Sequence, residues 1–262
     1  MAILQEDTVL VNEGPVAQVM LNRPEHLNAL NIDVFQGLLL AFEKLRRRAD
    51  LRVVTLWSAG DKAFAAGAEV PGMAGLGKRA AAEYFELGHR ALRCIETMPV
   101  PVIAAVHGHV FGAGLELALA CDVIVAAHQS QFGLPEAGLG LIPAFGGITR
   151  MLQRVGPGMT RRLVFSGEMI GTEEAVRCGL ADKAAPPDQL TEEVQRMDEQ
   201  IARSAPLAVS QTKALVRAEL EQQTLAGLRR GAESCLELFQ SVDCEEGLEA
   251  LMQKRDPAFR GR

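Results

Sequence analysis

Two glutamates, Glu116 and Glu136, fall within residues 100–147, which read VPVIAAVHGHVFGAGLELALACDVIVAAHQSQFGLPEAGLGLIPAFGG. Glu116 lies in the run Gly-Leu-Glu-Leu-Ala-Leu-Ala. A carboxylate so surrounded by apolar residues is either buried and paired or poised for chemistry. Glu136 follows Pro135, which predicts an irregular loop position. Two carboxylates beside glycine-lined backbone can share one water, with one acting as base and the other as acid. The plainer alternatives are that Glu116 complements a helix dipole and that Glu136 is a solvated loop carboxylate. Pattern alone leaves both readings open.

The elements that must position these acids are partly visible. Residues 100–106 form a short β-branched apolar run, the mark of a buried strand. A helical pattern starts near Ala113, which puts Glu116 in the first turn near the free N–H groups and the positive dipole end. A second apolar run, 123–127, leads towards Glu136. Before this centre, residues 8–21 read as a β-hairpin turning at Asn12-Glu13-Gly14-Pro15. Asn31 reads as a helix N-cap with Asp33 in the first turn, followed by the stripe Val34, Phe35, Leu38, Phe42, Leu45. Arg46-Arg47-Arg48 closes that helix, and the simplest role for three such cations is solvated complementarity to the dipole. Residues 51–57 read as a strand. Residues 63–69, AFAAGAE, are small enough for tight packing or for a ligand to approach bare backbone. A helix spans about 78–96.

After the centre, residues 148–155 and 159–165 read as short helices split by Gly156-Pro157-Gly158, and Thr172 opens another that Gly179 stops. Beyond about residue 185 only amphipathic helical pattern remains, at about 189–203, 206–220, 223–239 and 243–255. Strands and helices therefore mix up to 185, which suggests a layered or spiral α/β domain at 1–185. The helical region 186–262 has apolar faces and no sheet of its own, so it is expected to pack across subunits as well as on the body.

Composition narrows the function. The chain has 262 residues, of which 48% are hydrophobic and only 5% aromatic, so the core must be mostly aliphatic. A net charge of −6 argues against a nucleic-acid face or an anionic-membrane face. The five cysteines include no CxxC pair and are odd in number, which predicts reduced thiols in a cytoplasmic protein. MAILQEDTVL carries acids and no basic n-region, so no signal peptide is expected. No apolar run reaches the length of a membrane span.

Other chemistries fit poorly. GHVFGAGLEL follows a strand, but Leu117 stands where a dinucleotide fingerprint wants Gly or Ala, and no acid ends a second strand. Neither GxxxxGK[ST] nor GxSxG occurs. His107 and His109 alternate at strand spacing without further ligands, so no metal site is expected and both read as structural. Asp122, at a helix-to-strand corner, reads as a structural hydrogen-bonding residue.

Six segments taken in order resemble the enoyl-CoA hydratase/isomerase (crotonase) family: LNRPEHLNAL at 21–30, KAFAAGAE at 62–69, FGAGLELALACD at 111–122, QFGLPEAGLGLIPAFGG at 131–147, GLAD at 179–182 and EGLEALMQKRDPAF at 246–259. The resemblance covers essentially the whole chain. It implies a crotonase-like spiral of ββα repeats, with a C-terminal all-helical region that builds homotrimers, commonly paired into hexamers. It also implies an oxyanion hole for the thioester carbonyl of a CoA ester, made by the backbone N–H groups of Ala68 and Ala113. Ala66 and Glu69 belong to the same substrate-binding segment. Lys62 and Lys254 match lysines that contact CoA phosphates, Lys254 from a neighbouring subunit. Hydratases resemble one another in two glutamates that match Glu116 and Glu136, with Glu136 exchanging the C2 proton and Glu116 serving the C3 oxygen.

The resemblance thus implies a hydro-lyase adding water to a trans-2-enoyl-CoA. CoA is part of the substrate, and no separate cofactor is needed. Isomerisation or other enolate chemistry on an acyl-CoA is the alternative within the family. A non-catalytic or RNA-binding homologue is the alternative outside it. The chain departs from many hydratases at Ala144-Phe145, where Gly-Ala is usual, and at Glu25, where some relatives carry lysine.

Overall fold

The computed structural model describes residues 8–69 and 77–262. Most of the N-terminal stretch read above for targeting lies outside the described residues. Strands β1 (Val9–Asn12) and β2 (Val16–Leu21) form the expected hairpin, pairing antiparallel from Val9 opposite Leu21 to Asn12 opposite Gln18. Helix α1 (Ile32–Arg46) starts where Asn31 caps it, its side chain accepting from the Val34 N–H at 3.0 Å. Its apolar stripe is buried. Two of the three closing arginines are engaged rather than merely solvated. Arg46 donates to the Cys94 and Thr97 carbonyls, and Arg48 pairs with Glu13 and Asp50.

The chain then repeats one plan. A strand enters a large sheet, a shorter strand enters a small one, and a helix returns. The repeats are β3 (Val53–Ser58), β4 (Ala63–Ala65) and α2 (Lys78–Glu96); β5 (Val102–Val106), β6 (His109–Phe111) and α3 (Ala113–Leu119); and β7 (Val123–Ala127), β8 (Gln131–Gly133) and α4 (Gly147–Ser166). Strand β9 (Ile170–Gly171), helix α5 (Thr172–Arg177) and strand β10 (Lys183–Ala185) complete the sheets. The large sheet runs β1-β2-β3-β5-β7-β10 and the small one β4-β6-β8-β9. From β2 to β10 the large sheet is parallel. Both its faces are covered, which is why its central strands read as unbroken apolar runs.

No strand follows β10 among the described residues. Helix α6 (Leu190–Arg203) covers the outer face of the large sheet, where Leu190 and Val194 join Val53, Ile103, Ala105, Val125 and Ala127. Helices α7 (Pro206–Leu238) and α8 (Val242–Gln253) follow. The sequence pattern predicted two helices where α7 is one. Neither Gly nor Pro interrupts residues 207–226, so nothing there breaks the backbone of the helix. Conversely, α4 contains the expected break at Gly156, which takes φ 72° and ψ 175°. No helix is long and apolar enough to cross a membrane among the described residues.

Candidate active site

Helix α3 is short and wholly buried. Its chain enters through Gly112, at φ 50° and ψ −126°, a conformation that a residue with a side chain resists. Glu116 is 1% exposed. Its Oε1 accepts from the backbone N–H groups of Phe145 at 2.8 Å and Gly147 at 2.7 Å. The loop that supplies these donors is itself held. The Phe145 carbonyl accepts from Arg150 Nη1 at 2.6 Å, and Ala144 hydrogen-bonds His89 on α2.

Glu136 was expected on an irregular loop and instead sits in one turn of 3-10 helix, Pro135–Leu139. Proline fits the first position of such a turn because its missing N–H would be unbonded there anyway. The carboxylate faces the start of α3, where a Cβ on Gly112 would stand 2.9 Å from Glu136 Oε1. Its Oε2 is buried with no hydrogen-bond partner among the described residues. Burying an acceptor without a donor is costly unless a ligand or water completes it.

Both glutamates line one cavity of about 90 Å³, together with Ala66, Ala68, Ala113 and Phe145. Burial pushes both carboxyls above the ordinary range. The two N–H donors and the Arg150 charge oppose that shift at Glu116, whereas the negative charge of Glu116 adds to it at Glu136. The two N–H donors thus favour the anion at Glu116, while the two carboxyls titrate as one pair. Two carboxyls in unlike surroundings face the same cavity.

The expected oxyanion donors lie on the same wall. Ala68 bridges Leu30 in parallel fashion, through the Leu30 N–H to the Gly67 carbonyl at 2.8 Å and the Glu69 N–H to the Leu30 carbonyl at 3.1 Å. In that geometry the Ala68 N–H points away from Leu30. The Ala113 N–H belongs to the first turn of α3, where a helix leaves its donors without internal acceptors. Cys235 of α7 also lines the cavity. It is 1% exposed, and burial, reinforced by the two glutamates, pushes its thiol up to about 12.

Other expected residues lie elsewhere. Glu69 does not line the cavity, and its carboxylate accepts from Arg23 at 2.8 Å. Lys62 and Lys254 are exposed and stand outside the cavity wall, Lys254 closing α8 in the left-handed conformation. Asp122 has the structural role expected of it, accepting from the Val102 N–H at 2.7 Å and from Lys213 at 2.6 Å. All five cysteines are free, and no metal-binding cluster of His, Cys, Asp and Glu occurs among the described residues. Arg150 and Cys235 carried no sequence signal. An arginine near a helix start and a lone cysteine in a long helix look like surface and core residues until the fold brings them together.

A family model described as "Enoyl-CoA hydratase/isomerase" matches residues 12–262. A crotonyl-CoA hydratase from Syntrophomonas wolfei is 35% identical over 97% of this chain and 98% of its own length. A carnitinyl-CoA dehydratase from Salmonella typhimurium is 35% identical over 99% of this chain and all of its own. Among solved structures, an enoyl-CoA hydratase from Mycobacterium avium subsp. paratuberculosis superposes with a TM-score of 0.88 at 28% identity, covering 97% of this chain and 98% of its own.

Proposed function

The chain belongs to the enoyl-CoA hydratase/isomerase family, and on that premise we propose that it catalyses the reversible hydration of a short trans-2-enoyl-CoA to the 3-hydroxyacyl-CoA. The observation that carries this is two buried carboxyls on one small cavity, one held by two backbone N–H groups and the other with an unpartnered oxygen among the described residues. Glu116, fixed by two N–H groups, is the anion that takes a proton from water as its oxygen adds to C3. Glu136, with an unpartnered oxygen beside that anion, keeps the proton that it delivers to C2. Between the two transfers, negative charge grows on the thioester oxygen, and the Ala68 and Ala113 N–H groups stabilise it there. Protons, water and C–C unsaturation balance without a metal or redox partner, and CoA enters only as part of the substrate. Isomerisation needs no added water, so two acids on a cavity with room for a water favour hydration.

The preference for a short acyl group rests on the small volume and on Phe145. Its ring packs against Phe35, Tyr84 and Phe85 at centroid distances of 5.0–5.9 Å. Behind it is Gly88, where a Cβ would stand 2.3 Å from the ring. We assign the exposed apolar residues of α7 and α8, among them Leu207, Leu215, Val216, Leu251 and Met252, to contacts between copies in a homotrimer or a pair of trimers. That assembly would bring Lys254 to a neighbour's CoA. The reduced thiols suit the cytoplasm.

The test is a panel of trans-2-enoyl-CoA esters followed by loss of enoyl-thioester ultraviolet absorbance, with product oxygen traced from labelled water. Crotonyl-CoA should give the highest kcat/KM, and Phe145→Ala should move the preference about tenfold towards longer chains. Absence of solvent oxygen from every product would overturn the hydration reading.

A further inference from the structure

The loop that holds Glu116 is held in turn by a buried arginine. Arg150 is 4% exposed at its side chain and pairs with Glu96 through Nε at 3.2 Å and Nη2 at 3.4 Å. Its remaining arm, Nη1, donates to the Phe145 carbonyl. The same residue offers its N–H to Glu116. Glu96 also accepts from Arg93 at 2.7 Å, and Arg93 reaches Glu221 of α7 at 2.7 Å. One chain of ion pairs thus runs from α7 to the Phe145 loop. Burying a guanidinium beside an active site is expensive unless every arm is engaged. Nε and Nη2 anchor α4 to α2 through Glu96, and Nη1 ties the Phe145 loop to the same anchor.

We propose that Arg150 is a positioning residue for hydration: through the Phe145 carbonyl it fixes the loop whose N–H groups orient Glu116. The assignment rests on the hydratase reading above. Glu116 is faced by Glu136 from the 3-10 turn, by Arg150 from α4, by the buried phenol of Tyr84 on α2 and by the thiol of Cys235 on α7; His89, beside Phe145, is held neutral by burial. Of these, Arg150 alone carries positive charge. Removing it leaves Glu116 protonated to higher pH, so the acid limb of the kcat/KM profile must move upwards.

The experiment compares wild type, Arg150→Gln and Arg150→Lys. For Arg150→Gln we expect KM for crotonyl-CoA to stay within about threefold, while the acid limb rises by about one pH unit and kcat near neutrality falls about tenfold. Arg150→Lys should keep the limb near its wild-type position and still lose several-fold in kcat, because a lysine cannot engage Glu96 and the carbonyl together in fork geometry. A parallel titration of Glu116 by carboxyl-carbon NMR in labelled protein reads the same shift without turnover. If no enoyl-CoA is hydrated, the functional reading fails while the NMR titration still decides this one. A folded Arg150→Gln with unmoved Glu116 titration overturns the proposal, as does loss of thermal stability with an unmoved limb. Should Arg150→Gln not fold, wild-type kcat in Arg150→Lys overturns it and a several-fold loss with the limb in place supports it.

Discussion

Buried carboxyls occur on both faces of the large sheet, and they differ in a way that separates chemistry from architecture. On the inner side, Glu116 and Glu136 share a cavity, and Glu136 Oε2 has no donor among the described residues. On the outer side, Asp198 of α6 is 2% exposed and receives the Thr55 hydroxyl of β3 at 2.8 and 2.9 Å from its two oxygens. Burial raises Asp198 as well, to about 6, with the Thr55 hydrogen bond opposing the rise. Neither burial nor a displaced ionisation therefore marks a catalytic acid. What sets the proposed pair apart is an unpartnered oxygen at a cavity that Ala68 and Ala113 also line.

The sharpest way to break this contrast is to neutralise one member on each face. Glu136→Gln should lower hydration of crotonyl-CoA by about 10³-fold while CoA-ester affinity, measured by calorimetry, changes little. A variant with full activity would reduce Glu136 to a structural residue like Asp198. A smaller loss, about 10²- to 10³-fold in kcat, is expected when Ala113→Pro deletes one oxyanion donor. Proline is tolerated at the first helical position, so helix content by circular dichroism should be unchanged and the loss can be assigned to the missing N–H.

The mildest effect is expected at Asp198→Asn, which should leave kcat/KM unaltered and change only stability. The folded carboxyl, at about 6, lies above the unfolded value of about 3.9. Its stabilising contribution is therefore full below about pH 3.9 and is lost as pH rises through 6. Against wild type, the asparagine variant should gain about 2–4 °C in Tm at pH 8, a gain that shrinks towards pH 4.

Local pattern singled out the two glutamates, the small-residue segment 63–69 and a helix start near Ala113 while leaving their roles open, and only the family resemblance assigned Ala68 and Ala113 a part in the site. An acid in an apolar run, a proline before an acid and a cluster of glycines can be read within a few residues. The switch from mixed to purely helical pattern near residue 185 also coincides with the last strand. What stayed hidden depends on contacts across long separations. Glu69 looked like part of the substrate wall until Arg23 claimed it across the fold. Arg150 has meaning only once Glu96 and the Phe145 carbonyl converge on it. Phe145 was visible as an unusual residue, but its slot is cut by Gly88 on a helix far earlier in the chain.

The thiol in the cavity wall bears on how such a site survives its own reagent. A conjugated thioester is an electrophile at C3, and sulfur attacks it only as the thiolate. Cys235, shifted to about 12, has roughly one thiolate in 10⁵ molecules near neutrality. The desolvation that readies the neighbouring acids therefore also protects the enzyme from alkylation by the compound it would bind.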